Sequence, residues 1–268
     1  MGSAVLHVYG ILSTVCAVAL ILANSFCMIA IKAEQETISI GNNLIEVSFK
    51  PQASLGVVGI RNGFTGTKYV FSGSPIFLIV LFDKTVNEQV FFSASDAVNY
   101  NYQLFEDGRT LIVKYRGFRT DRFFNINVTL TITVSSGSEV MFSITVDKEE
   151  KTDIYYIMYP VIDGITKLSG RKESTFLVIP SWGGSLVVSS PTRFCCPGYP
   201  AHPYPTGEQN LQFMSLFDGE GAGSLYVYTN DTYGFYKSFK WEGRGRIGVN
   251  ISHALSRVWK LQNLLATI

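Results

Sequence analysis

Two adjacent thiols, Cys195 and Cys196, open the segment of this chain with the densest reactive chemistry, RFCCPGYPAHPYPTGEQ at 193–209. Neighbouring thiols cannot both ligate one metal comfortably, and no His/Cys set with zinc spacing follows them, so no metal is expected. A vicinal disulfide is strained by its own geometry, which leaves free thiols as the expected state. From Pro197 to Pro205 the chain cannot be an interior strand, because proline lacks the ladder donor. An exposed extended loop is expected there. Its Tyr199, His202 and Tyr204, with Trp182 upstream, carry flat rings of the kind that stack on sugars. These four are the candidate carbohydrate-binding residues. The competing reading is that the rings only pack the loop onto a scaffold, and both readings stay open at this stage.

Catalytic groups are harder to find. General acid–base chemistry would need a His acid paired with a Glu or Asp base. His202 and His253 are the histidines beyond residue 7, and neither sits in such a pattern. The acidic residues fall mostly in turns, where they are ordinary solvated groups. Asp96, Asp163 and Asp218 are the ones to test for a carboxylate pair. Nucleophile-elbow, phosphate-loop and dinucleotide fingerprints are absent. No catalytic residue and no cofactor is assigned.

The elements that must carry these residues are strands. Phe77 to Phe82 is a continuous apolar run, as for a strand buried on both faces. Phe123 to Val134 alternates over its whole length. Phe124, Ile126, Val128, Leu130, Ile132 and Val134 share one face, and Asn125, Asn127, Thr129, Thr131 and Thr133 share the other. Ser135 to Ser138 turns the chain and Glu139 to Val146 alternates again, which predicts a hairpin. Further strands read at 44–49, 109–115, 154–159, 175–179, 211–217, 224–228 and 234–241. About fifteen short strands, with no amphipathic helix before residue 253, predict an all-β fold, a large antiparallel β-sandwich rather than a βαβ architecture. The domain should run from 34 to 252. Residues 253–268 read as a short C-terminal helix or a truncated tail.

Composition sets the outer limits. The chain has 268 residues, 47% hydrophobic and 13% aromatic, with 24 Gly and a net charge of +1. It can bury a sizeable core, and it has no electrostatic case for nucleic acid. The first 31 residues carry no charged side chain, and Ile11 to Ile31 is almost wholly apolar. Residues 1–33 therefore read as a cleaved signal peptide or as a retained signal-anchor helix in a membrane. Either places the β domain on the lumenal or extracellular side, secreted or membrane-anchored. Sequons at Asn127, Asn230 and Asn250 agree with that route and are the expected glycosylation sites.

One ordered series of segments is familiar. Leu44-Ile-Glu-Val-Ser-Phe49 is followed by Gly56-Val-Val-Gly-Ile-Arg-Asn-Gly-Phe-Thr-Gly66 and Tyr69. Then come Tyr159 to Leu168, Val178 to Gly184, Leu211 to Asp218 and Ser224 to Asp231. The series resembles the galactose-mutarotase-like sandwich, whose first hairpin carries a G-x-(x)-L/I-x-N-x-x-T-G-x-x-Y turn. It is similar in particular to the N-terminal β domain of certain glycoside hydrolases, in which a (β/α)8 barrel follows. The likeness covers roughly residues 36 to 252. It implies a supersandwich fold and hydrolytic carboxylates on barrel strands beyond Ile268. The chain is thus expected to be a non-catalytic, carbohydrate-contacting structural module, a fragment or degenerate copy whose partner in a full-length relative is the barrel. The alternatives are a stand-alone epimerase or lyase and a membrane-anchored lectin-like protein.

Overall fold

The computed structural model describes residues 37–164, 174–181, 184–189, 202–204, 212–220, 223–229, 237–242, 246–254 and 258–267. The leader at 1–33, Trp182, Tyr199, Cys195, Cys196 and Asn230 lie outside these residues. Strands run in chain order as β1 (Ile38–Gly41), β2 (Ile45–Phe49), β3 (Val57–Asn62), β4 (Lys68–Val70), β5 (Leu78–Asp83) and β6 (Glu88–Ser93). A 3-10 turn at Ala94–Asp96 leads into β7 (Ala97–Leu104), β8 (Thr110–Arg119), β9 (Phe123–Val134), β10 (Glu139–Asp147) and β11 (Thr152–Ile162). Then follow β12 (Thr175–Ser181), β13 (Gly184–Ser189), β14 (His202–Tyr204), β15 (Phe213–Asp218) and β16 (Ser224–Thr229). The last three are β17 (Lys237–Glu242), β18 (Arg246–Ala254) and β19 (Val258–Thr267).

They assemble into three antiparallel sheets. β1 to β4 form a four-stranded meander. A nine-stranded sheet has the order β13-β12-β15-β16-β19-β10-β9-β8-β7, and a six-stranded sheet has the order β14-β17-β18-β11-β5-β6. The expected all-β sandwich is what the chain forms. The long alternation at 123–134 behaves as its period demands: the six apolar side chains of β9 are buried to 2% exposure or less, while Phe123, Asn125 and Asn127 are exposed. The turn after it closes with the Ser135 amide donating to the Glu139 carbonyl at 2.9 Å, which sets Val134 opposite Val140.

Aromatic contacts join the two larger sheets. Phe142 on β10 meets Tyr159 on β11 edge-on at 6.0 Å, and Phe92 on β6 meets Phe118 on β8 at 4.6 Å. Phe77, just before β5, packs edge-on against Tyr115 on β8 at 5.3 Å. Such edge-to-face pairs add specificity beyond the area they bury. The meander contributes Ile40, Ile45, Val47, Phe49 and Ile60 to the same core.

The end of the chain departs from the helix read at 253–268. Here β18 reaches Ala254, and Val258–Thr267 is strand β19, paired with β10 on one side and β16 on the other. Two partner strands satisfy its backbone donors and acceptors along both edges. That gain outweighs the weak helical preference of a Leu- and Ala-containing segment. Within the proline-rich stretch, His202–Tyr204 is a three-residue strand at the edge of the six-stranded sheet. Its edge position fits Pro203, which has no amide hydrogen to donate.

Candidate functional site

The motif that carried the resemblance turns out to be a turn built around one side chain. Asn62 ends β3 and is 3% exposed. Its Oδ1 accepts from the Phe64 amide at 2.8 Å and the Thr65 amide at 3.2 Å. Gly66 then takes φ +73, a conformation that suits glycine, and its amide donates to the Asn62 carbonyl at 2.9 Å. The chain returns as β4, which brings Tyr69 back to Asn62 for a side-chain hydrogen bond. Burial raises the Tyr69 pKa, the Asp218 carboxylate raises it further, and the Asn62 bond opposes both. The Asn, Thr-Gly and Tyr of the motif are therefore architectural.

The three carboxylates singled out from sequence sit in three different local settings. Asp96 closes a capping box, accepting from the Ser93 amide at 2.7 Å and the Ser93 hydroxyl at 2.9 Å. Asp163 accepts from the Ser74 hydroxyl at 2.8 Å beyond the end of β11. Asp218 is buried on β15, opposite Thr175 of β12. Among the described residues, no group of His, Cys, Asp and Glu is placed to hold a metal ion.

Of the carbohydrate candidates, His202 and Tyr204 lie on β14. Of the sequons, Asn127 is exposed on the outer face of β9, and Asn250 lies within β18, between β17 and β11.

A site that sequence reasoning missed sits at the far edge of the six-stranded sheet. There β6 and the β8–β9 turn flank a shallow, open cavity of about 300 Å³, lined by residues 88–91 and 120–122. On β6, Val90 and Phe92 turn into the core, so the strand's alternation sends Phe91 outward, where it is 61% exposed. An exposed phenyl ring of this kind is a stacking platform.

Arg122 is the organised cation of the groove. Its Nη1 lies 3.3 Å from the Asp83 carboxylate and its Nη2 3.9 Å from that of Glu88. Its guanidinium also rests over the Phe124 ring at 5.2 Å, a cation–π contact. Asp83, at the end of β5, is buried and accepts from both the hydroxyl and the amide of Thr85. Those bonds, with Arg122 and Lys151 nearby, hold its carboxyl below the usual range. Asp121 is likewise held low, first by the Thr120 hydroxyl at 2.8 Å. The groove thus offers a flat apolar ring, ionised carboxylates and a fixed guanidinium around an open cavity. Hydroxyl-rich, uncharged ligands with one apolar face match that set. Residues 88–91 and 120–122 are distant in sequence, their Asp, Glu and Thr look like ordinary turn residues, and no sequence signal marks Phe91 as outward-facing.

Solved structures with the same architecture fix the fold. The alpha-N-acetylgalactosaminidase NagBb from Bifidobacterium bifidum, in complex with Gal-NHAc-DNJ, superposes with a TM-score of 0.60 at 11% identity, over 87% of this chain and 36% of its own. A GalM/aldose epimerase homologue from C. elegans gives 0.54 at 6% identity, over 87% and 98%. A galactose mutarotase-like protein from Lactobacillus casei gives 0.50 at 12% identity, over 87% and 99%. The chain therefore has the galactose-mutarotase-like sandwich fold, and it spans about 36% of the length of the Bifidobacterium enzyme. No family model and no curated protein sequence matches it.

Proposed function

We propose that this chain is a non-catalytic, carbohydrate-contacting module, and that it holds sugar in the groove between β6 and the β8–β9 turn. The observation that carries the reading is Phe91, a ring 61% exposed among Glu88, Gln89, Asp121 and Arg122. One face of a pyranose is lined with C–H groups and stacks on such a ring. Its hydroxyls then donate to Glu88 or Asp121 and accept from Arg122. The fold supports the same class of ligand, since the neighbours named above are a glycosidase and mutarotase-like proteins.

The sequence candidates Trp182, Tyr199, His202 and Tyr204 remain further sugar contacts in this proposal. His202 and Tyr204 lie on β14, at the opposite edge of the six-stranded sheet from β6. Five strand spacings separate the two edges, roughly 24 Å, so the groove and β14 would contact different units of an extended glycan. In a full-length relative the β14 side would face the barrel. The module would work on the lumenal or extracellular side, anchored or released at residues 1–33 and glycosylated at Asn127, Asn230 and Asn250.

Binding of the purified chain to an array of immobilised glycans tests this. A hit that Phe91→Ala weakens about tenfold, ~1.4 kcal/mol, supports the groove. A hit that ignores Phe91 but falls with Tyr204→Ala moves the contact to β14. Absence of binding to any glycan overturns the proposal.

A second reading has one observation in its favour. The two mutarotase-like structures are matched over 98% and 99% of their own length, so the fold alone makes up those chains. A stand-alone aldose epimerase with His202 as acid predicts accelerated interconversion of hexose anomers, abolished by His202→Ala.

A further inference from the structure

Among the described residues, the nine-stranded sheet ends in an edge that carries none of the usual protection. β7, AVNYNYQL, is eight residues long and pairs with β8 on one side. It holds no charge, no proline and no bulge, the devices by which edge strands avoid other chains. Other edges have them: β6 has Glu88, β14 has Pro203, β4 has Lys68 and three residues, and β1 has only four residues. The uncharged β13 is shorter, at six residues.

The side chains of β7 fall into two rows. Tyr100, Tyr102 and Leu104 stand opposite Tyr115, Val113 and Leu111 of β8, and so continue the core-side face. Those β8 partners are fully buried, yet Val98, Tyr100, Tyr102 and Leu104 are 38% to 47% exposed. The core is covered up to β8 and uncovered at β7. Asn99, Asn101 and Gln103 form the other row, on the outer face.

We propose that β7 docks a second copy of this chain, the two β7 strands pairing antiparallel about a two-fold axis at Asn101. Parity restricts the pairing to even slips, and of these the two-fold at Asn101 is the one that pairs all four exposed apolar side chains of β7 with one another. With Asn101 on the axis, Tyr100 faces the other copy's Tyr102, Val98 faces Leu104, Asn99 faces Gln103, and Asn101 faces itself. Every apolar side chain meets an apolar one and every amide meets an amide. A slip of one residue would set each tyrosine against an amide. The interface is isologous and closes on itself. Five side chains, Phe105 included, each expose roughly 80 Å², taking aromatic side chains at about 150–250 Å² in full. That is at most about 400 Å² of apolar surface per copy, so the pairing falls at or below the ~1,200 Å² at which specific interfaces begin and predicts a weak, concentration-dependent dimer. The pairing rests on β7 alone and is independent of the proposed sugar groove.

Cysteine scanning on the purified full-length chain tests the register. In this pairing the two Asn101 Cα atoms lie about 4.5–5.5 Å apart, inside the range a disulfide spans. Asn101→Cys should give a covalent dimer under mild oxidation, with the 101–101 link identified by mass spectrometry. Val98→Cys should not, because its symmetry mate lies about 20 Å away along the strand. Sedimentation of the unmodified chain should show a monomer–dimer equilibrium. Asn101→Asp sets two carboxylates face to face and should weaken it at least tenfold at neutral pH, with recovery in acid. A unmodified chain that sediments as a monomer at every concentration, or equal cross-linking at 98 and 101, overturns the proposal.

Discussion

Replacing Asn62 by Ala removes the centre of the first turn, and the structure sets the size of the effect. The Asn62 side chain accepts from the Phe64 and Thr65 amides and bonds to Tyr69. Phe64 and Thr65 are exposed, so water replaces their lost acceptor and each bond costs about 0.5–1 kcal/mol. Tyr69 is 3% exposed, and loss of its bond to Asn62 costs a further ~0.5–1.5 kcal/mol. The sum is about 1.5–3.5 kcal/mol. For a domain of about 230 residues each kcal/mol moves Tm by about 2–4 °C, so a fall of roughly 3–14 °C is expected. Differential scanning calorimetry and urea unfolding should agree on it. Asn62→Asp keeps the acceptor for the two amides but places a carboxylate beside Tyr69, with Asp218 acting on the same tyrosine. Its loss of stability at neutral pH should be smaller than that of Asn62→Ala, because the two amides keep their acceptor. A change below 1 kcal/mol for Asn62→Ala would refute the claim that this side chain holds the turn.

Three further outcomes follow from other parts of the fold. The Tyr115 hydroxyl is buried without a hydrogen-bond partner, and burial raises its pKa; Tyr115→Phe should therefore leave stability unchanged or raise it by about 1 kcal/mol in urea unfolding. Gly117 sits in the β8 bulge at φ +66, and an added Cβ would come within 2.6 Å of the Phe123 ring; Gly117→Ala should cost about 1–3 kcal/mol. Asp83, Asp121 and Asp153 all have pKa values lowered by folding, through Thr85, Thr120 and Lys84 respectively. The unfolded chain then binds more protons as pH falls below about 4. Stability is fully present above that pH and is lost as pH drops through the folded-state values. Asp83→Asn should flatten that acid limb in a pH series of thermal melts.

Much of the architecture was legible where local pattern and tertiary demand agree. The β9–β10 hairpin follows from strict alternation over twelve residues and a Ser-Gly turn, and the Asn62–Tyr69 turn from its Asn and Gly. Legibility ended where a segment's fate depends on distant neighbours. Val258–Thr267 has composition compatible with a helix, and only the open edges of β10 and β16 make it a strand. β7 escaped notice because its alternation is tyrosine against asparagine rather than apolar against polar. The groove brings together residues about thirty positions apart, and neither segment contains a motif. The position of Phe91 above a buried Val90 and Phe92 is visible only once β6 is known to be an edge strand.

Hydrogen–deuterium exchange of the purified chain, with and without the saccharide retained best on the array, reads sugar contact in the groove residue by residue. Amide exchange at residues 88–91 and 120–122 should slow, an effect abolished by Phe91→Ala. Protection confined to other surfaces, with these two segments unchanged, would contradict it.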